Sequence, residues 1–156
     1  MSKVAVFPGT FDPFTLGHLS LVERGLRLVD EIIVAIGVNT DKKTIFTTEQ
    51  RLEMISGLFQ DNPKVRVKTY TGLTVDFAKA ESAGVILRGI RSVGDFEYEK
   101  SIANVNRGIS GIETVILFTD AEYSYISSSI VRELWIHGKS IDEFVPKNLH
   151  INEYKK

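Results

Sequence analysis

A parallel, doubly wound α/β sheet is the fold this sequence predicts, on three observations. Five short apolar runs rich in β-branched residues recur along 156 residues, at 4–7, 32–38, 65–67, 85–87 and 115–118. Most are continuous rather than alternating, as strands covered on both faces require. Stretches with apolar residues at three- and four-residue steps separate them, so strand and helix alternate five times over. Such alternation implies right-handed crossovers and one parallel sheet with helices on both faces.

The elements follow in order. After the run at 4–7, Leu19, Val22, Leu26 and Val29 repeat at helical spacing. After the second run, Thr47, Thr48, Glu49 and Gln50 offer a capping-box start for a helix over 51–59, with Leu52, Ile55 and Phe59 on one face. Asn62 and Pro63 end it. Val75 and Ala78, with Phe77 beside them, face inward from a third helix. A fourth spans 96–107 and carries Phe96, Ile102, Ala103 and Val105 among polar residues. A fifth covers 128–137, with Gly138 as its C-cap. Residues 140–144 read as one more short helix stopped by Pro146, and 152–156 as a fraying tail. No repeat or linker interrupts the pattern, so residues 1–156 are expected to form a single domain.

In such sheets ligands bind beyond the carboxyl ends of the strands. Polar clusters follow every run, at 8–18, 39–44, 70–74, 88–91 and 119–129. The first holds the most. Gly9 to His18 runs from a strand through a turn set by Asp12 and Pro13 into a helix entrance at Thr15-Leu16-Gly17-His18. Free N–H groups and the positive helix end favour an anion there, and His18 adds a donor. The loop lacks the glycine spacing of a dinucleotide fold or a P-loop. Arg88-Gly89-Ile90-Arg91, read as directly following the fourth run, puts two guanidinium forks at the same edge. Ser127, Ser128 and Ser129 open a helix after Tyr123, Ser124, Tyr125 and Ile126. One serine would serve as a cap, and three exceed that need. Lys42 and Lys43 offer point charges after the second run, although paired loop lysines are usually solvated. Glu99 and Asn106 share one helix face, directed at the crevice or at solvent. His137 and His150 have no ligand partners at useful spacing and read as structural.

Composition narrows the classes. The chain is 43% hydrophobic and 25% charged, with a net charge of −1, so no global basic field points to nucleic acid or an anionic membrane. It has no cysteine, which excludes disulfides, thiolate catalysis and cysteine-held zinc. No leader pattern or spanning apolar stretch is seen, so a cytoplasmic location is expected. The sequence shows neither a carboxylate pair of glycosidase type nor a nucleophile elbow.

The clusters taken together are more specific than any one of them. Pro8-Gly9-Thr10-Phe11-Asp12-Pro13, Thr15-x-Gly17-His18, Arg88-Gly89-Ile90-Arg91, Asp95-Phe96-Glu97-Tyr98-Glu99 and Ile126-Ser127-Ser128-Ser129 appear in this order over nearly the whole chain. The sequence in this respect closely resembles the bacterial phosphopantetheine adenylyltransferase family, within the nucleotidyltransferase superfamily. The resemblance implies a Rossmann-like fold and transfer of AMP from ATP to 4′-phosphopantetheine, giving dephospho-coenzyme A and pyrophosphate. It implies that Thr10, Phe11, His18, Gly89, Ile90, Arg91, Glu99 and residues Tyr123, Ser124, Tyr125, Ile126, Ser127, Ser128 and Ser129 contact ATP. It implies that Thr10, Lys42, Thr74 and Arg88 hold the phosphopantetheine, Thr74 through its backbone. His18 would stabilise the transition state, helped by Lys42 and Arg91. Mg²⁺ as cofactor without a dedicated protein ligand, a homohexamer and feedback inhibition by coenzyme A are implied in the same way. Gly72 departs from an acidic residue of some relatives, 139–156 matches loosely, and 108–112 reads as a slightly short loop.

Two alternatives stay open on sequence alone. The same chemistry could serve another phosphate acceptor, such as a mononucleotide or glycerol phosphate. A non-catalytic nucleotide sensor could use a similar sheet.

Overall fold

The computed structural model describes residues 2–155. Five parallel strands form one sheet in the order β3-β2-β1-β4-β5: β1 Val4–Gly9, β2 Glu31–Gly37, β3 Val65–Tyr70, β4 Val85–Ile90 and β5 Glu113–Phe118. Five helices connect them or follow: α1 Leu16–Gly25, α2 Thr48–Leu58, α3 Thr74–Ala80, α4 Val93–Ser110 and α5 Ser128–Ile136. The chain order reverses between β1 and β4, so the switch point lies where the first loop and the Arg88 segment end side by side.

Alternate residues of the strands feed two cores, one on each face. Phe7, Val34, Ile36 and Leu87 pack with Leu21 and Val22 of α1, Met54 and Ile55 of α2 and Val131 of α5. Val6, Ile33, Ala35 and Ile86 pack on the other face with Val75 and Ala78 of α3. The predicted doubly wound sheet is thus observed, with its two-sided burial as the reason for the continuous apolar runs.

Several boundaries differ from the sequence reading. Arg88, Gly89 and Ile90 do not follow β4 but form its last three residues, paired with Ile116, Leu117 and Phe118. A polar residue facing the crevice breaks the apolar run without breaking the ladder. Residues 108–110 are helical rather than loop, because α4 continues to Ser110 and ends on Gly111 at φ 76°, a left-handed C-cap. It also starts earlier than residue 96, on a Ser92 cap that accepts from the Asp95 N–H. Residues 140–144 form a turn closed by Phe144 N–H to the Ile141 carbonyl, not a helix. Pro146 starts a 3-10 turn at Lys147–Leu149 instead of stopping a helix. The tail does not hang free as far as it is described: Asn152 Nδ2 donates to Asp142 Oδ1 at 2.9 Å, Tyr154 packs against the first core, and Lys155 lies over the Trp135 ring. Lys156 lies outside the described residues. No described helix is long and apolar enough to cross a membrane.

Candidate active site

The first loop is held from inside the molecule. Phe11, Asp12, Phe14 and Thr15 are all buried, and Phe11 takes φ 52°, uncommon for a residue with a side chain. Its ring stacks edge-on against His18, centroids 5.0 Å apart, with Phe7 and Phe14 closing round the same imidazole. The Thr10, Asp12 and Pro13 carbonyls accept from Arg51 Nη1 (2.6 Å), Arg132 Nη1 (3.1 Å) and Ser128 Oγ (3.0 Å). The Asp12 carboxylate accepts the Ile45 and Phe46 N–H groups at 2.9 and 3.0 Å, tying down the segment that carries Lys42.

The spacing of Thr15 and His18 has a structural cause. Thr15 is the N-cap of α1 and His18 stands at the third helical position, so the pair forms a capping box with histidine in the place of glutamate. The Thr15 hydroxyl accepts from His18 N–H, and the Thr15 N–H donates to His18 Nδ1 at 2.9 Å. An N–H can only meet a lone pair, so Nδ1 is unprotonated and Nε2 carries the hydrogen of the neutral ring. Desolvation, then the charges of Arg88 and Arg91, push the His18 pKa down from 6.5 to about 3. His18 is therefore a neutral ring with one free donor. Gly17 beside it lines the same cavity as His18 and Arg91, and a Cβ added there would meet Thr15 Oγ1 at 3.6 Å, an ordinary contact, so the packing of the protein itself does not demand glycine.

Three cavities open at this sheet edge; one of about 310 Å³ is lined by Thr10, Lys42, Thr48 and Arg51 among others, and the other two hold most of the predicted residues. The first of these two, of about 330 Å³, is lined by Thr74, Tyr70, Ile102 and Asn106 among others, and the second, of about 400 Å³, by His18, Gly89, Arg91 and Ser127 to Ser129. They share the wall made by Pro8, Gly9, Thr10, Lys42, Arg88, Tyr98 and Glu99. Lys42 Nζ donates to Thr10 Oγ1 at 3.2 Å, on that wall. Glu99, the one buried residue of α4, accepts from Arg88 Nε at 2.9 Å and Nη2 at 2.6 Å, and Arg88 Nη1 donates to the Pro8 carbonyl. A guanidinium has five N–H donors, so two of those on Arg88 remain for a ligand.

Most of the sequence-predicted residues meet here. Thr10, Lys42, Thr74 and Arg88 all line the first cavity, and Thr10, Phe11, His18, Gly89, Arg91, Glu99 and Ile126 to Ser129 all line the second. Glu99 and Asn106 turn to the crevice, which settles the choice left open by their spacing. Thr74 has its hydroxyl 2.8 Å from that of Tyr70. Ile90 is buried in β4, and Tyr123, Ser124 and Tyr125 precede the cavity wall without lining it. Gly89 has a packing reason of its own, since a Cβ there would collide with Leu21. Each serine of the triplet has a partner: Ser127 caps α5, Ser128 reaches the first loop and Ser129 accepts from Arg132. Lys43 is exposed and away from both cavities.

The sequence reading missed Arg51, Arg132 and the side chain of Asp12. Arginines on amphipathic helices usually face water, so a buried one carries no mark in a single sequence. For metals, no group of three or more histidine or acidic side chains suited to an ion is found among the described residues.

A cytidylyltransferase-like family profile matches residues 6–134. A phosphopantetheine adenylyltransferase of Bacteroides thetaiotaomicron is 54% identical over 150 residues, covering 96% of this chain and 99% of that protein. The enzymes of the same name from Phocaeicola vulgatus and Flavobacterium johnsoniae are 55% and 52% identical, covering 95% and 97% of this chain and 98% and 99% of theirs. Among solved structures, a bifunctional NMN adenylyltransferase/ADP ribose pyrophosphatase from Francisella tularensis superposes with a TM-score of 0.74 at 18% identity. The match covers 95% of this chain and 46% of that one, so it speaks to the shared fold alone.

Proposed function

The chain belongs to the phosphopantetheine adenylyltransferase family of cytidylyltransferase-like proteins, and from that premise we propose that the two joined cavities are its two substrate sites. The enzyme transfers the adenylyl group of ATP to 4′-phosphopantetheine, giving dephospho-coenzyme A and pyrophosphate in coenzyme A biosynthesis. The carrying observation is the shared wall of Thr10, Lys42 and Arg88, which brings two polyanion sites to one point.

In this reading phosphopantetheine occupies the cavity of Thr74 and Asn106, and ATP that of His18, Arg91 and Ser127 to Ser129. A phosphate oxygen of phosphopantetheine attacks the α-phosphorus of ATP in line. The bond from that phosphorus to the bridging oxygen breaks, and pyrophosphate leaves with the electron pair. Negative charge grows on the leaving group, so the protein's work is positioning and electrostatic stabilisation. The His18 Nε2–H, the α1 N-terminus, Lys42, Arg88 and Arg91 supply donors that are in place before reaction. The Nδ1 lone pair of His18 is taken by the Thr15 N–H and Nε2 carries the hydrogen, so the ring offers a donor and not a nucleophile. Mg²⁺, when bound, would neutralise triphosphate charge, and the donor set fits an ion held by phosphate oxygens and water rather than by protein carboxylates.

The proposal extends to a single catalytic unit over 1–156, to a cytoplasmic location, to inhibition by coenzyme A and to a homohexamer. For the last, support comes from Phe96, Val105 and Ile109 of α4, which are 41%, 61% and 58% exposed.

Pyrophosphate release from ATP against a panel of phosphate acceptors tests the reading. Release with phosphopantetheine, and a drop in kcat of about 10²–10³ in His18→Ala with the fold intact, is expected. Preference for another acceptor, or near-normal turnover in His18→Ala, would overturn the assignment.

A further inference from the structure

Arg51 is 3% exposed and lies on α2, outside the two cavities assigned to the substrates, on the wall of a third that Thr10 and Lys42 also line. Its Nη1 donates to the Thr10 carbonyl at 2.6 Å and its Nη2 to Thr48 Oγ1 at 3.1 Å, while Nε is buried without a partner. Burying a charge with an unmet donor is costly, and packing alone would be served as well by a methionine. What the guanidinium alone provides is a grip on the Thr10 peptide. Asp12, 1% exposed, works from the same loop in the other direction, fixing residues 45 and 46 through their N–H groups. The segment between, 39–46, carries Lys42. The loop with Thr10 and the segment with Lys42 are thus clamped, and the two functional groups meet at 3.2 Å.

We propose that Arg51 is a positioning residue for adenylyl transfer: it holds the Thr10 peptide so that the Thr10 hydroxyl and the Lys42 ammonium keep a fixed separation where the two cavities join. This rests on the reading that Thr10 and Lys42 stand between the substrates. A displacement of about 1 Å in such a group costs on the order of 10²-fold in rate. Arg51 lines neither of the two cavities assigned to the substrates, so its loss acts through Thr10 and falls mainly on kcat, with the other ATP contacts of His18, Arg91 and Ser127 to Ser129 left in place.

Steady-state kinetics on Arg51→Met, Arg51→Lys, Thr10→Ala and the double variant Thr10→Ala/Arg51→Met test this, with melting curves alongside. Arg51→Met is expected to lower kcat by about 10–100-fold with KM for ATP changed less than about threefold. Arg51→Lys, which keeps the charge and one donor for the Thr10 carbonyl, is expected to recover part of the loss. On Thr10→Ala the Arg51→Met change is expected to add less than about threefold, because both act through one residue. If Arg51→Met does not fold, Arg51→Lys, alone and on Thr10→Ala, carries the comparison with the same expectations of an unchanged KM and non-additive loss. Unchanged kcat in Arg51→Met, or a full multiplication of the two losses, overturns the positioning role. Normal kcat in Thr10→Ala instead overturns the reading of the site on which it rests.

Discussion

The first loop and helix α4 border the same cavities but are built on opposite terms. In the loop, Asp12, Phe14 and Thr15 are buried, and the carbonyls of Thr10, Asp12 and Pro13 are each taken by a side chain from α2 or α5. In α4, eighteen residues long, only Glu99 is buried, and Val93, Val105 and Ile109 are more than half exposed. The chain spends its internal contacts on the loop that the proposed function sets against phosphates and a shifting charge, where preorganised donors need not reorganise during reaction. On α4 it fixes one carboxylate against Arg88 and leaves an apolar face uncovered by its own residues.

Single substitutions can break that contrast. Phe14→Ala, at the centre of the loop's aromatic packing, is expected to cost about 3–5 kcal/mol in denaturant unfolding. A loss below about 1 kcal/mol would mean the loop is not held by its core. Ser128→Ala removes the hydroxyl that donates to the Pro13 carbonyl and is expected to cost about 0.5–1.5 kcal/mol in the same measurement, with the α5 cap at Ser127 untouched. Ile109→Ala on α4 is expected to stay within about 0.5 kcal/mol in the unfolding of the isolated subunit. Its sharper readout is sedimentation: Val105→Asp on the same face should shift the protein to smaller species while leaving that subunit's unfolding nearly unchanged. An unaltered assembly would remove the support that face gives to the hexamer.

How much of this was readable in the sequence follows from what each residue reports locally. Strands covered on both faces write themselves as apolar runs, and the capping box at Thr47 and Gln50 marks α2 by its own spacing. The groups that line the two cavities were legible because glycine, histidine and arginine cluster at strand ends. Arg51 was not, because its burial depends on the Thr10 carbonyl 41 residues away. For the same reason the apolar residues of α4 could not be sorted into core and surface: spacing records a helical face and says nothing of what covers it. The triplet of serines read as excess capping until Ser128 and Ser129 were seen to have separate partners.

The central claim is that His18 acts as a neutral donor held by Thr15. Its folded-state pKa lies below the unfolded one, so the unfolded chain binds the proton first. His18 thus supports the fold fully above pH 6.5, and that support is lost as pH falls from 6.5 towards about 3. Imidazole ¹⁵N NMR of the free enzyme, taken from about pH 8 to about pH 5 and assigned with His18→Gln, reads the state directly. The account predicts an unprotonated Nδ1, a protonated Nε2 and no titration of His18 across that range. A His18 signal that titrates near 6.5, or a ring protonated at Nδ1, would contradict it.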